Sequence, residues 1–309
     1  MVYNKNMRFE DKIITFKPKP LREDPYTMER LGIKRESYFE QHRPEIDNFP
    51  DVDKEERDED KKEIARLKEL WEEDDENEKF QKEVSSIFEG AIFDLIEANE
   101  FLGEGCEIVP ASEWDDIKNG VDGVFVFERE KEEEEDFYSG VEIDVTFSSK
   151  DSVIEKKIKS IKACIKEGVL PTLKYFKDPK TGEHKTIPLP KVMIGVQQSS
   201  AEGLIRLWGS SNDNKDEKLK NHPVQSKIIV ELLIQLEYFL NFSKDLRNDT
   251  EDPNKWEQYN KICKKYGLMY NRIYEVYTNK KDLIVSHMNE ISSDVVYNKI
   301  IEITGAKDK

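Results

Sequence analysis

The chain has 309 residues, 37% of them hydrophobic and 37% charged, with a formal net charge of −17. No run approaches the ~18 consecutive apolar residues of a membrane span, and the first residues carry no apolar signal core, so a non-membrane, cytoplasmic protein is expected. Three widely spaced cysteines, Cys106, Cys164 and Cys263, argue against a disulfide framework or a zinc site and favour a reducing compartment.

Residues 1–50 contain scattered prolines and little periodicity, and read as an arm with one short helix over 26–41. Residues 51–80 are mostly charged, with a thin apolar stripe of Ile64, Leu67, Leu70 and Trp71. They read as a linker or solvated helix, the alternative being an acidic tail that mimics or repels nucleic acid. Residues 1–79 are therefore expected to form a charged N-terminal extension.

The folded core is expected to begin at Phe80. Val84, Ile87, Phe88, Ala91, Ile92, Leu95 and Ile96 recur at helical spacing and predict a helix over 80–100. A short strand over 107–110 and an acidic segment, residues 112–117, lead to the β-rich run 121–127. A charged hairpin loop, 130–136, separates it from a second such run, 140–147. A Ser-Lys-Asp-Ser turn then offers capping groups to a helix over 152–167, which buries Ile154, Ile158, Ile161 and Ile165. Residues 170–176 and 186–189 predict a hairpin extension, and 191–196 another core strand. Helices follow over 200–208 and 223–246, and the last 50 residues read as amphipathic helix. This order predicts an α/β fold: a mixed central sheet flanked by helices over 80–200, and a helical C-terminal part, 201–309, packed on it.

The informative chemistry lies in the two strand-like runs. Side chains alternate along a strand, so Glu142, Asp144 and Thr146 share one face while Val141, Ile143, Val145 and Phe147 share the other. Two carboxylates ~6.6 Å apart on one strand face repel each other and cost desolvation unless partnered. Asp122 heads the neighbouring run and supplies a third carboxylate. Convergent acids suggest a divalent cation; a wet face of an edge strand is the alternative. The net charge is also unevenly placed. Residues 45–80 hold 17 acidic and 7 basic side chains, whereas residues 150–191 hold 11 lysines against 5 acids. Screening limits the reach of charge to ~8 Å at physiological salt, so the acidic total disfavours a nucleic-acid partner without excluding one.

A helix carrying Phe88-Glu89-Gly90, then Val121-Asp122-Gly123, then Val141-Glu142-Ile143-Asp144, then a lysine-rich helix resembles the PD-(D/E)XK nuclease superfamily over roughly residues 80–198. The resemblance implies a restriction-endonuclease-like core. It also implies a Mg²⁺ (or Mn²⁺) ion surrounded by a helix glutamate, a strand aspartate and a Glu-x-Lys strand. Carried over by position, Asp122 matches the motif aspartate, Glu142 the first acid of Glu-x-Lys, and Glu89 the helix acid. Asp144 stands where the family usually has lysine; some members place an acid there and others supply lysine from the following helix, for which Lys157 is the candidate. The expected metal ligands are thus Asp122, Glu142 and Asp144, with Glu89 and Lys157 completing the catalytic set. Lys150, Lys156 and Lys159 are expected to track a phosphate backbone. The implied activity is metal-dependent hydrolysis of nucleic-acid phosphodiesters, with DNA ahead of RNA as substrate and a homodimer as a possible assembly. The alternative is a catalytically inactive nuclease-like module that binds nucleic acid or protein.

Overall fold

The computed structural model describes residues 21–72, 75–98, 100–103, 105–127, 140–146, 151–179, 181–211 and 213–306. The expected 130–136 loop and Lys150 lie outside these residues.

A small mixed sheet carries the fold, with helices dominating the rest. Its strands are β1 (Cys106–Pro110), β2 (Gly123–Phe127), β3 (Gly140–Thr146) and a fourth, Lys191–Gly195, which takes the label β6. The order is β1-β2-β3-β6. The β1/β2 and β2/β3 pairs are antiparallel and β3/β6 is parallel. Parallel neighbours need a long crossover. Here it contains a helix, Asp151–Glu167, and a separate two-stranded hairpin, β4 (Thr172–Lys177) with β5 (His184–Pro188).

The alternation in β2 sorts its side chains between two apolar clusters. Phe125 and Phe127 join the main core, whereas Val124 and Val126 pack with Leu173 and Phe176 of the hairpin. Both faces of β2 are therefore covered, which accounts for its nearly unbroken apolar run.

The outer edge of β6 is closed by side chains rather than by another strand. Tyr266 Oη accepts from Lys191 N at 3.3 Å and donates to Lys191 O at 3.2 Å. Gln235 does the same for Met193, with Oε1 accepting at 3.0 Å and Nε2 donating at 2.6 Å. Glu231 Oε2 accepts from Gly195 N at 2.9 Å. Alternate residues of an edge strand point their backbone groups outward, and each of these three is satisfied. The partners lie on two long helices, Pro223–Asp249 and Pro253–Asn279. Among the described residues no helix is long and apolar enough to cross a membrane.

Five helices position the candidate site: α1 (Pro25–His42), α2 (Lys54–Glu72), α3 (Glu76–Ala98), α4 (Glu113–Asn119) and α5 (Asp151–Glu167). The 26–41 expectation corresponds to α1, which starts on an Asp24 cap with Pro25 in its first turn. Its Leu31 and Phe39 are buried in the main core beside α3. Gly90 of α3 allows the close approach, since a Cβ there would lie 3.1 Å from Arg35 Cγ and 3.5 Å from the Phe39 ring.

The charged 51–80 stretch also departs from a solvated rod. Ile64 of α2 is buried with Phe49 and Tyr175. Asp60 is buried too, accepting from Tyr175 Oη at 2.6 Å and Lys174 Nζ at 2.5 Å. Residues 21–72 thus build one wall of the molecule.

Candidate functional site

Helix α4 delivers the chain to β2. Ser112 caps it, accepting from Asp115 N at 3.1 Å, and Gly120 ends it in the left-handed region at φ 60°. Buried Asp115 anchors the helix to the hairpin by accepting from Lys174 N at 2.9 Å and Tyr175 N at 3.0 Å. The turn at Gly120 then brings Asp122 to the head of β2. A Cβ at Gly123 would lie 2.8 Å from Phe93 Cζ, so this glycine lets α3 lie directly on the strand. That contact brings Glu89, one turn earlier on α3, to Asp122.

Glu89, Asp116 and Asp122 each present a carboxylate oxygen within 4.8 Å of the other two. Arg43, just past α1, reaches the same group: its Nη2 lies 3.3 Å from Glu89 Oε1 and 3.1 Å from Asp116 Oδ2. Asp122 Oδ2 also accepts from Val145 N at 2.5 Å.

Strand pairing decides which acid of β3 faces Asp122. Gly123 pairs with Ile143 and Val124 with Glu142, so Asp122, one residue earlier, stands opposite Asp144. Asp144 forms an ion pair with Lys157 of α5. Were Asp144 rather than Glu142 the acid of the resembled motif, the lysine position would fall on Thr146 instead of Asp144.

Glu142 lies elsewhere. It is fully buried, stands in register with Lys191 of β6, and neither carboxylate oxygen has a hydrogen-bond partner among the described residues. Burial pushes its carboxyl well above the ordinary range, Lys191 opposes the shift and Asp115 adds to it. The structure therefore brings together Glu89 and Asp122, and separately Asp144 and Lys157, but leaves Glu142 outside the acid group. Lys156 is exposed, and Lys159 is exposed and paired with Glu155 at 3.2 Å.

The electrostatics of the acid group are strained. Burial raises Glu89 well above the ordinary carboxyl value; Asp122 and Asp116 add to the rise, and Arg43 and Arg35 oppose it. Asp122 is raised for the same first reason, with Asp144 and Asp116 adding and Lys157 and the Val145 N–H opposing. Asp116 is raised by burial and held back by Arg43. Three converging carboxylates raised in this way favour a bound cation or retained protons. Two oxygens on one Mg²⁺ at ~2.1 Å stand about 3.0 Å apart in cis and about 4.2 Å in trans, so oxygens within 4.8 Å of one another would have to draw together to share one ion.

A cavity of about 990 Å³ opens onto Glu89, Asp116 and Asp122 and is walled by α1, α2, α3 and α4. Arg35, Arg43, Lys61, Lys68 and Lys82 line it. Asp116 lies in the acidic segment 112–117, to which the sequence assigns no ligand role, and Arg43 was not among the expected site residues. The only signal for Asp116 was its nearness to Asp122. Arg43 sits in a proline-scattered stretch without a motif.

The chain matches no protein-family model, no curated protein and no solved structure.

Proposed function

We propose that this chain is a Mg²⁺- or Mn²⁺-dependent phosphodiesterase acting on nucleic acid, with a PD-(D/E)XK-like site in a restriction-endonuclease-like core. The observation that carries the reading is the facing pair Asp122 and Asp144 on antiparallel strands, with Glu89 arriving from the preceding helix and Lys157 from the following one. Asp122, Glu89 and Asp116 would hold the ion, with Asp144 beside them. A carboxylate-held ion lowers the pKa of water and compensates charge on phosphate oxygens. Lys157 supplies a fixed positive charge at the edge of the group, suited to the charge that builds in phosphoryl transfer. Arg35, Arg43, Lys61, Lys68 and Lys82 on the cavity wall supply cations for flanking phosphates. DNA is the first substrate to try, and the three free cysteines fit a cytoplasmic setting.

The Asp144–Lys157 ion pair favours one competing reading, a catalytically silent nucleic-acid-binding module, because an acid already neutralised is a weaker metal ligand. Incubating the full chain with single- and double-stranded DNA and RNA in Mg²⁺ or Mn²⁺ separates the two. Cleavage by the wild type and none by Asp122→Asn supports the hydrolase. Equal cleavage by both places the chemistry elsewhere, and binding without cleavage by the wild type supports the silent module.

A further inference from the structure

Arg43 stands in a position with two uses. Its Nη2 bridges Glu89 and Asp116, two of the carboxylates assigned above to a metal ion. A guanidinium there neutralises acids that would otherwise repel each other. Its Nε, by contrast, is buried with no hydrogen-bond partner among the described residues, and so is Nε of Arg35. Both side chains line the 990 Å³ cavity. Their guanidinium carbons lie 4.4 Å (Arg43) and 4.6 Å (Arg35) from the centre of the same Phe39 ring, an apolar platform that leaves polar edges for a ligand. Unpartnered buried donors are costly, and two of them on positive side chains call for an anion.

The charge of the cavity sets an order of events. Its lining holds eight carboxyl groups against five cations, a formal balance of −3 with every carboxyl ionised. Arg35 pairs with Glu36, Lys61 with Asp47, and Lys68 with Glu113, so these wall cations already have acidic neighbours. With those carboxyls ionised, an anionic phosphate entering this space before any metal meets net repulsion. A divalent ion on Glu89, Asp116 and Asp122 removes most of that balance and displaces Arg43 from its two acceptors.

On the basis of the metal-site reading above, we propose that Arg43 exchanges partners during the reaction cycle. Without metal it is the counter-ion of Glu89 and Asp116. When a divalent cation takes those carboxylates, the guanidinium turns to a phosphate group of the incoming nucleic acid, with Arg35 beside it. Metal binding thereby creates the anion site, and the segment just past α1 supplies a substrate ligand.

The test compares wild type, Arg43→Gln and Arg43→Lys in two measurements that need no turnover. Mn²⁺ alone is titrated calorimetrically into each metal-free chain, and a 5′-fluorescein hexathymidylate is then titrated by anisotropy in Ca²⁺. Removing the competing cation should tighten Mn²⁺ about 3- to 10-fold, the scale of a partly buried charge contact. The same change should weaken the oligonucleotide at least about tenfold, as loss of a phosphate ligand requires. Arg43→Lys should fall between the other two in both. Mn²⁺ binding that is unchanged or weaker in Arg43→Gln overturns the exchange, since Arg43 would then merely brace the carboxylates; unchanged oligonucleotide binding overturns it as well. Both shifts in a chain that cleaves nothing leave the exchange standing and sink the hydrolytic reading alone. Wild type that takes up neither probe overturns both.

Discussion

Asp122 and Asp144 face each other across the β2/β3 pair, and Asp122 Oδ2 accepts from the amide directly after Asp144, Val145 N, at 2.5 Å. This backbone bond fixes one oxygen of Asp122. Glu142, two residues earlier on β3, is in register with Lys191 of β6 and is not one of the three converging acids. Asp122→Asn and Glu89→Gln should therefore weaken Mn²⁺ binding at least about tenfold, the lower end of the loss seen even for outer-shell changes. Glu142→Gln should leave it within about twofold. Calorimetric titration of the three variants checks the ranking, and a large loss in Glu142→Gln would refute the assignment.

Protons would compete with a metal at the proposed site. Glu89, Asp116 and Asp122 all have raised carboxyl pKa values in the metal-free chain, burial being the first cause of each. Metal binding requires the ionised forms, so it must expel the retained protons. The apparent Mn²⁺ affinity should rise as pH rises, and binding should release protons to the buffer. Titrations in buffers of different ionisation enthalpy at several pH values measure this, and a pH-independent affinity with no proton release would count against the acid group as ligands.

Lys157 tests the difference between a structural ion pair and a reaction partner. Its ammonium pairs with Asp144 at the edge of the acid group, on a side chain 27% exposed. If it stabilises charge in phosphoryl transfer, Lys157→Met should lower single-turnover cleavage about 100-fold, the order found for removing one fixed donor at a transition state. Mn²⁺ affinity should hold or improve, because Asp144 loses its competitor. Unchanged cleavage would reduce Lys157 to a counter-ion.

The strands, α3 and α5 were legible because their apolar residues repeat at periods of 2 and 3.6. The identity of the acid facing Asp122 was not. Glu142 and Asp144 share one face of β3, so alternation treats them alike; only the pairing register, a tertiary property, tells them apart. Arg43 was invisible for a related reason. Its position depends on Leu31 and Phe39 docking α1 against α3, contacts 50 or so residues apart in sequence that no local pattern encodes. Likewise α2 reads as solvated because it is mostly charged, yet Asp60 is buried through partners on β4 more than 100 residues away. Charge patterning finds exposed faces well, but it misses a charged group whose partner arrives from a distant strand.

Glu142 should govern part of the pH dependence of stability. Its folded carboxyl is raised well above the ordinary value of 4.5, chiefly by burial, so the native chain retains a proton that the unfolded chain releases. The native state then binds more protons than the unfolded state between those two values, and stability falls as pH rises through that window. Glu142→Gln removes the term and should flatten the slope by up to about 1.4 kcal/mol per pH unit. Urea unfolding of both chains from pH 5 to pH 8 measures it. Parallel curves would mean that Glu142 ionises alike in both states.

Asp60 ties the cavity wall to the hairpin. Tyr175 Oη and Lys174 Nζ both donate to it, and Lys174 also pairs with Glu56 at 2.6 Å. Asp60→Ala strands the buried Tyr175 hydroxyl, whereas Lys174 keeps Glu56, so the loss should be about 1–3 kcal/mol, the cost of one unsatisfied buried group. Asp60→Asn keeps an acceptor for the hydroxyl and should lose less. The damage should be local before it is global: α2 is held by Ile64, this clip and the Lys68–Glu113 and Lys118–Glu63 ion pairs with α4, whereas β3 is paired on both edges. Hydrogen exchange should therefore accelerate over residues 54–72 in Asp60→Ala while β3 amides stay protected. Because Lys61 and Lys68 of α2 line the cavity, oligonucleotide binding should weaken in step with that opening, with Mn²⁺ binding unaffected. Uniform acceleration across α2 and β3 would show instead that the wall unfolds only with the whole molecule.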